Sequence, residues 1–228
     1  MKRWLIGCLS ILMIFTGCAW WSGPEEEKTA EELIQEGVAD FDEGKYQAAI
    51  DSFEQLRDWY PFSKYAILAE LKVADAYYHM DSYSDAIFAY EEFEQLHPRN
   101  EAIPYVIYQI GRCYFDQIDT LDRDQSNAVK ALETYRRLVQ QYPIDAYAAM
   151  ARSDMLACYQ SLSGHEFYVG VFYYKNKNYK AAKERFKAVI EKYPDVGYHY
   201  EALTYLANCE EWIRSFLQPP EVPSASQL

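Results

Sequence analysis

Cys158 and His165 have the residue types of a thiol nucleophile and its base, and seven positions separate them across a predicted helix end. That spacing is unspecific, and the two residues alone make a hydrolase the weakest of the functional readings. His165-Glu166 is not followed by a second histidine one turn on, so it is no HExxH zinc helix. The chain has neither G-x-S-x-G nor a glycine loop able to cradle phosphate. The segment DRDQSNAVKALE, Asp122 to Glu133, aligns with the first, third, fifth and twelfth positions of a calcium loop. Asn127 replaces the glycine such a loop needs, however, and Ala131 to Tyr135 carry a helical phase that ends the loop early. A helix start capped by Asp and Ser explains the same letters, so no metal and no cofactor are expected.

A different chemistry is offered by Cys18 in FTGCAWWSGPEEEK. Lys2 and Arg3 form a basic start, and the apolar run Trp4 to Phe15 suits an export signal but is too short to span a bilayer. Thr16 and Gly17 are small, as a peptidase site requires, and the pattern resembles the lipobox whose cysteine is acylated. Residues 1–17 are therefore expected to be a signal peptide, and 18–28 a lipidated N-terminus and linker. Phe15 departs from the usual leucine. A second box, Leu5 to Cys8, lacks a preceding hydrophobic run, and an ordinary secretory signal with an incidental cysteine is the other reading. Ala19, in place of the aspartate often linked to inner-membrane retention in the lipoproteins this resembles, points to the periplasmic face of the outer membrane.

The formal net charge is −13, and it becomes about −15 once Lys2 and Arg3 leave with the signal. Nucleic acid and polyanionic surfaces are poor partners for such a chain. Cys113, Cys158 and Cys209 remain, an odd number that cannot make a complete disulfide framework. With 17% aromatic residues, 22 tyrosines and few glycines, the composition suits one ordered, mostly helical domain.

Four segments repeat one pattern: YQAAIDSFEQLRDWYP, YSDAIFAYEEFEQLHP, AVKALETYRRLVQQYP and YKAAKERFKAVIEKYP. Each predicts an amphipathic helix closed by Pro61, Pro98, Pro143 or Pro194. Ala49, Ala86, Ala131 and Ala182 stand four residues before Phe53, Tyr90, Tyr135 and Phe186, so small residue and ring share a face. A second helix precedes each, with Gly37, Ala74, Gly111 or Gly170 letting the two approach closely. The order resembles the tetratricopeptide repeat, whose period is about 34. Here the proline intervals are 37, 45 and 51, the excess going to the loop DQIDTLDRDQSN and to an extra helix at about Ala146 to Leu162, paired with the Gly170 segment. A last helix runs from about His199 to Phe216. The fold expected is all-α, an α-solenoid of about five helix pairs, with residues 29–145 as N-terminal repeats, 146–216 as C-terminal repeats and 217–228 as a disordered tail. The sequences GRCY, LACY and ANCE put each cysteine where other repeats have Ala39 or Ala76, a small, buried, apolar position.

Two surfaces are candidates for partners. Tyr78, Tyr105, Tyr108, Arg112 and Phe115, with Tyr77 and Tyr114, fall on first helices of repeats and could form a groove for an extended, aromatic-rich peptide, although many of these rings must be core. Lys180, Lys183 and Lys187 are expected as an outward stripe of a basic helix, and Arg185 flanks its packed face, where it could meet a carboxylate of another protein. A merely solvated face accounts for the charges equally well.

The segments DWYPFSKYAILAELKVADAYY, FEQLHPRNEAIPYVIYQIGRCYFDQI and DRDQSNAVKALETYRRLVQQYP, with HEFYVGVFYYKNKNYKAAKERFKAVIEKYP and the lipobox, resemble the BamD family over nearly the whole mature chain. That resemblance implies a lipid-anchored periplasmic subunit of the outer-membrane β-barrel assembly machinery, without enzymatic activity. It implies N-terminal repeats that take the C-terminal, aromatic-ended segments of unfolded outer-membrane proteins. It further implies C-terminal repeats that dock on the barrel subunit BamA, with other assembly lipoproteins nearby and Arg185 at the BamA contact. The short tail puts any contact by an extended C-terminal helix in doubt. The alternatives are another exported repeat protein, such as a secretin pilotin or cell-division coordinator, and an envelope hydrolase.

Overall fold

A few residues at the ends of each repeat decide where helices start, turn and stop. Thr29 opens the first helix with a reciprocal cap: its hydroxyl accepts from the Glu32 amide, while the Glu32 carboxylate accepts from the Thr29 amide at 2.8 Å. Three of the turns within hairpins share one geometry, in which Gly44, Asp81 and Lys177 take positive φ of 76°, 56° and 59°. The amide after each reaches back five residues, from Lys45 to Asp40, Ser82 to Tyr77 and Asn178 to Tyr173. Only glycine adopts that conformation without cost, so Asp81 and Lys177 are strained choices. At the other end of the hairpins, Pro61, Pro98, Pro143 and Pro194 each lie two residues beyond a helix and prevent its continuation.

The computed structural model describes residues 27–217; the export segment, Cys18 and the tail from residue 218 lie outside the described residues. Nine helices, and no strand, occur among those described: α1 (Ala30–Asp42), α2 (Tyr46–Trp59), α3 (Ala66–His79), α4 (Tyr83–Leu96), α5 (Ile103–Phe115), α6 (Ser126–Gln141), α7 (Ala146–Lys175), α8 (Tyr179–Lys192) and α9 (His199–Leu217). Each packs chiefly on its chain neighbours, the signature of a solenoid.

The small residues do what the repeat pattern requires. A Cβ built on Gly37 would lie 2.5 Å from the Phe53 ring, one on Gly170 2.7 Å from Phe186, and one on Gly111 would strike Tyr135. In the second repeat Ala74 fills the same place, buried in one cluster with the buried Tyr90. Phe53, Tyr90, Tyr135 and Phe186 are all fully buried. Cys113, Cys158 and Cys209 are free and buried, as is Ala76, whereas Ala39 is exposed because no described helix covers that side of α1.

One expectation fails. The helix placed at Ala146 to Leu162 and the Gly170 segment are not two members of a hairpin but one continuous helix of 30 residues, α7. Ser163, Gly164 and Glu166 have the letters of a capping box and a helix break, yet Gly164 lies under Leu121 and Tyr198, where a Cβ would come within 3.0 Å of either. The loop 116–125 is clamped onto the middle of α7 by His165 Nδ1 to the Leu121 carbonyl at 2.7 Å and by Ser161 to Gln125 at 2.6 Å. Tertiary packing thus overrides a local stop signal. The N-terminal half of α7 joins the central core through Ala148, Ala151, Cys158 and Leu162, and its C-terminal half packs with α8 and α9 through Phe167 and Val171.

Candidate binding groove and basic helix

Asp75, Asp116 and Asp154 organise the tyrosine-lined face. Tyr105 donates to Asp75 at 2.7 Å, Tyr78 to Asp116 at 2.6 Å and Tyr108 to Asp154 at 3.0 Å. Tyr78, Tyr105 and Tyr108 therefore each have the hydroxyl engaged by a carboxylate, leaving ring faces and edges as the contact surface. Asp75 is buried and satisfied threefold, taking a second tyrosine hydroxyl from Tyr90 at 2.8 Å and Lys72 at 2.9 Å. Burial first, and the adjacent carboxylate second, hold the Tyr90 and Tyr105 hydroxyls protonated far above the ordinary range.

Arg112 joins α5 to the neighbouring elements. Its guanidinium pairs with Asp116 at 2.5 Å and with Asp154 on α7 at 3.6 Å, and lies 4.8 Å from the centre of the Phe115 ring. It is thus already shared between two acids, and the local charge is negative rather than positive. Tyr108 is 8% exposed and belongs to the floor, with its ring tilted on Tyr135 and Tyr147, and burial pushes its hydroxyl up to about 12. Tyr78, Tyr105, Arg112 and Phe115 stay partly accessible around it. The Tyr135 hydroxyl is buried with no hydrogen-bond partner.

The basic helix α8 divides its charges. Arg185 sits on the α7 side, donating to Glu166 at 2.9 Å, which keeps the guanidinium protonated, and its side chain is 42% exposed. Lys183 does not point outward with Lys180 and Lys187; it crosses to α9 and pairs with Glu210 at 2.8 Å. The stripe reading places it too far from the packed face, because the seam between α8 and α9 runs along the edge opposite Arg185. Lys187 pairs at 3.6 Å with Glu191, one turn on, and Lys180 is exposed. A cleft of about 360 Å³ runs beside Arg185, lined by Glu166, Glu184, Lys187 and Lys192.

The residues first considered for catalysis are not brought together. Seven residues along α7 separate Cys158 from His165 by about 10 Å of helix rise. The Cys158 thiol is buried and pushed up to about 12, and His165 is held by a backbone carbonyl. Asp122 takes the Thr120 hydroxyl within the loop, and Asp124 takes the amide of Ser126, the first residue of α6. Among the described residues no group of three or more His, Cys, Asp or Glu is placed to hold a metal ion, and no helix is long and apolar enough to cross a membrane.

The three aspartates were not legible as groove residues in the sequence. Asp75 carried one signal, an acid set between alanines on an otherwise apolar helix face, and Asp116 another, standing one turn after Arg112 at ion-pair spacing, but nothing local marked Asp154.

These helix pairs, with a tyrosine–aspartate face at one part and a basic helix at another, define a tetratricopeptide-type solenoid. A family model described as "YfiO: Outer membrane lipoprotein" matches residues 26–214, and the chain belongs to that family. The "Outer membrane protein assembly factor BamD" of Caulobacter vibrioides is 35% identical over 178 residues, 78% of this chain and 58% of that protein. The factor of the same name from Neisseria gonorrhoeae is 30% identical over 191 residues, 79% of this chain and 72% of that one. The chain thus spans somewhat over half the length of the first of these relatives. Among solved structures, a tetratricopeptide repeat protein from Parabacteroides merdae superposes with a TM-score of 0.43 at 14% identity, covering 83% of this chain and 80% of that one.

Proposed function

We propose that this protein is a non-enzymatic adaptor of the outer-membrane protein assembly machinery, anchored by lipid on Cys18 at the periplasmic face of the outer membrane. Its relatives' shared name supports that role over a secretin pilotin or a division coordinator. The observation that carries the mechanism is the row of tyrosines tied to Asp75, Asp116 and Asp154 around Arg112. An unfolded client has unpaired backbone amides and, at its aromatic end, an unburied ring. Asp116 and Asp154, which stay partly accessible, keep lone pairs for the amides, and Tyr78 and Phe115 offer ring surface for the aromatic end. Because Arg112 is already held by two carboxylates, it acts as the positive centre that keeps both acids in place rather than as the captor of a client carboxylate. The N-terminal repeats, 29–145, take the client. In the C-terminal repeats, 146–216, Arg185, with Lys187 on the same cleft, docks a carboxylate-bearing face of a BamA-like barrel subunit. No bond is made or broken.

A photo-crosslinking residue in place of Tyr78 tests the groove. It should capture a client's C-terminal peptide and lose most of that yield when the peptide's terminal aromatic residue is replaced by alanine. Equal yield from both peptides would contradict the assignment.

A further inference from the structure

Charge is divided along the molecule. Residues 27–145 carry 24 acidic and 11 basic side chains, a net −13, while residues 146–217 carry 8 acidic and 9 basic, a net +1. The extreme of the second part is a tip where the turn between α7 and α8 meets the last turns of α9. Lys177, Tyr179, Lys180, Ile213, Phe216 and Leu217 line a shallow pocket of about 300 Å³ there. Trp212 stacks on Tyr179 with centroids 5.5 Å apart and planes 5° from parallel, and Phe216 stacks beside them. Trp212 is 46% exposed, and Phe216 and Leu217 are each 74% exposed. Among the described residues Lys175, Lys177 and Lys180 form no ion pair; on α9, Glu210 pairs with Lys183, and Glu211, beside Trp212, is exposed.

Lys177 adds a second, independent observation. It occupies the left-handed position that glycine fills in the first hairpin as Gly44, and a lysine there keeps a backbone cost that glycine would remove. Asp81 takes the same position in the second hairpin, so what distinguishes this turn is the cation that Lys177 places on it.

We propose that this tip binds an anionic phospholipid surface. Tryptophan, tyrosine and phenylalanine beside lysines are the composition that settles at a membrane interface, the rings at headgroup depth and the ammonium groups on lipid phosphates. The pocket is shallow and its polar rim is cationic, which suits a fluid layer of headgroups better than the complementary face of a folded protein. The charge division works in the same direction, drawing the tip towards an anionic surface and holding the acidic repeats away. This site is separate from Arg185, which lies on the α7 edge of α8, and it does not depend on the lipid at Cys18.

The test uses the chain without residues 1–17 and with Cys18→Ser, so that no acyl chain contributes; all nine helices and their cores lie within residues 27–217. Cosedimentation with phosphatidylglycerol/phosphatidylethanolamine vesicles should show binding that weakens with salt, and phosphatidylcholine vesicles should bind far less. The double variant Lys177→Gly, Lys180→Gln should lose about tenfold or more in vesicle affinity. Its melting temperature should be unchanged or higher, since glycine relieves the turn. Phe216→Ser should weaken binding while keeping the salt dependence. Absence of binding to anionic vesicles, equal binding to phosphatidylcholine, or full binding by the double variant would overturn the proposal.

Discussion

Gly37, Gly111 and Gly170 are the residues on which the hairpins close, because each lies against the aromatic ring of its partner helix. Alanine is the better helix former by about 1 kcal/mol, so propensity alone says these glycines should be improvable. Packing decides otherwise: Gly111→Ala should destabilise the protein by about 1–3 kcal/mol, because the new methyl must push the buried Tyr135 ring out of place. Urea denaturation followed by circular dichroism checks this, and a stabilised variant would contradict it. The buried thiols give a second prediction at this scale. Burial raises Cys113 and Cys158 from the ordinary 9 to about 12. Above pH 9 the unfolded chain can release these protons and the folded one cannot, so stability is complete below that value and declines as pH rises from about 9 to 12. Both cysteines should resist iodoacetamide at pH 8 until the chain is unfolded, and rapid native labelling of either would contradict their burial. Their place in the repeat register, shared with Ala76, made that burial readable in advance. The tyrosine–aspartate bonds could not be read in the same way, since Tyr105 and Tyr108 find their acids 30 and 46 positions away along the chain.

Helix α7 is the element on which sequence and structure part. The boundaries of the other amphipathic helices follow from caps, prolines and period, and His199 to Phe216 was placed within a residue of α9. The pattern S-G-H-E at the middle of α7 mimics a helix start, and what cancels it is the distant loop 116–125, fixed at His165 and Ser161. Ser163 distinguishes the two arrangements. As an N-cap its loss would cost about 0.5–2 kcal/mol. In the continuous helix its hydroxyl is fully buried without a hydrogen-bond partner, so Ser163→Ala should be neutral or stabilising by up to about 1 kcal/mol. Thermal unfolding of the variant beside wild type reads the sign directly. Spanning about 45 Å, α7 couples the central core to the C-terminal stack without a hinge loop between them.

The whole molecule is a helical stack that spaces the two proposed binding surfaces, with acid in excess in residues 27–145 and a near-even balance in residues 146–217. The solenoid class was legible because four proline-closed segments share one alanine-aromatic register. The polarity of the groove was not, since Asp154, which shares Arg112 with Asp116, lies 42 positions away along the chain. On the docking side, Arg185 is half exposed and held ready by Glu166, so a partner carboxylate need not order it from a floppy state. The measurement that bears most directly on the adaptor role is a detergent-solubilised pulldown of the tagged protein from membranes, wild type beside Arg185→Glu, with bound proteins identified by mass spectrometry. Wild type should recover a large outer-membrane barrel protein with periplasmic domains, and Arg185→Glu should lose at least about nine-tenths of it, since a reversed charge at a desolvated pair costs several kcal/mol. Recovery of no barrel protein by wild type, or equal recovery by the variant, would contradict the account.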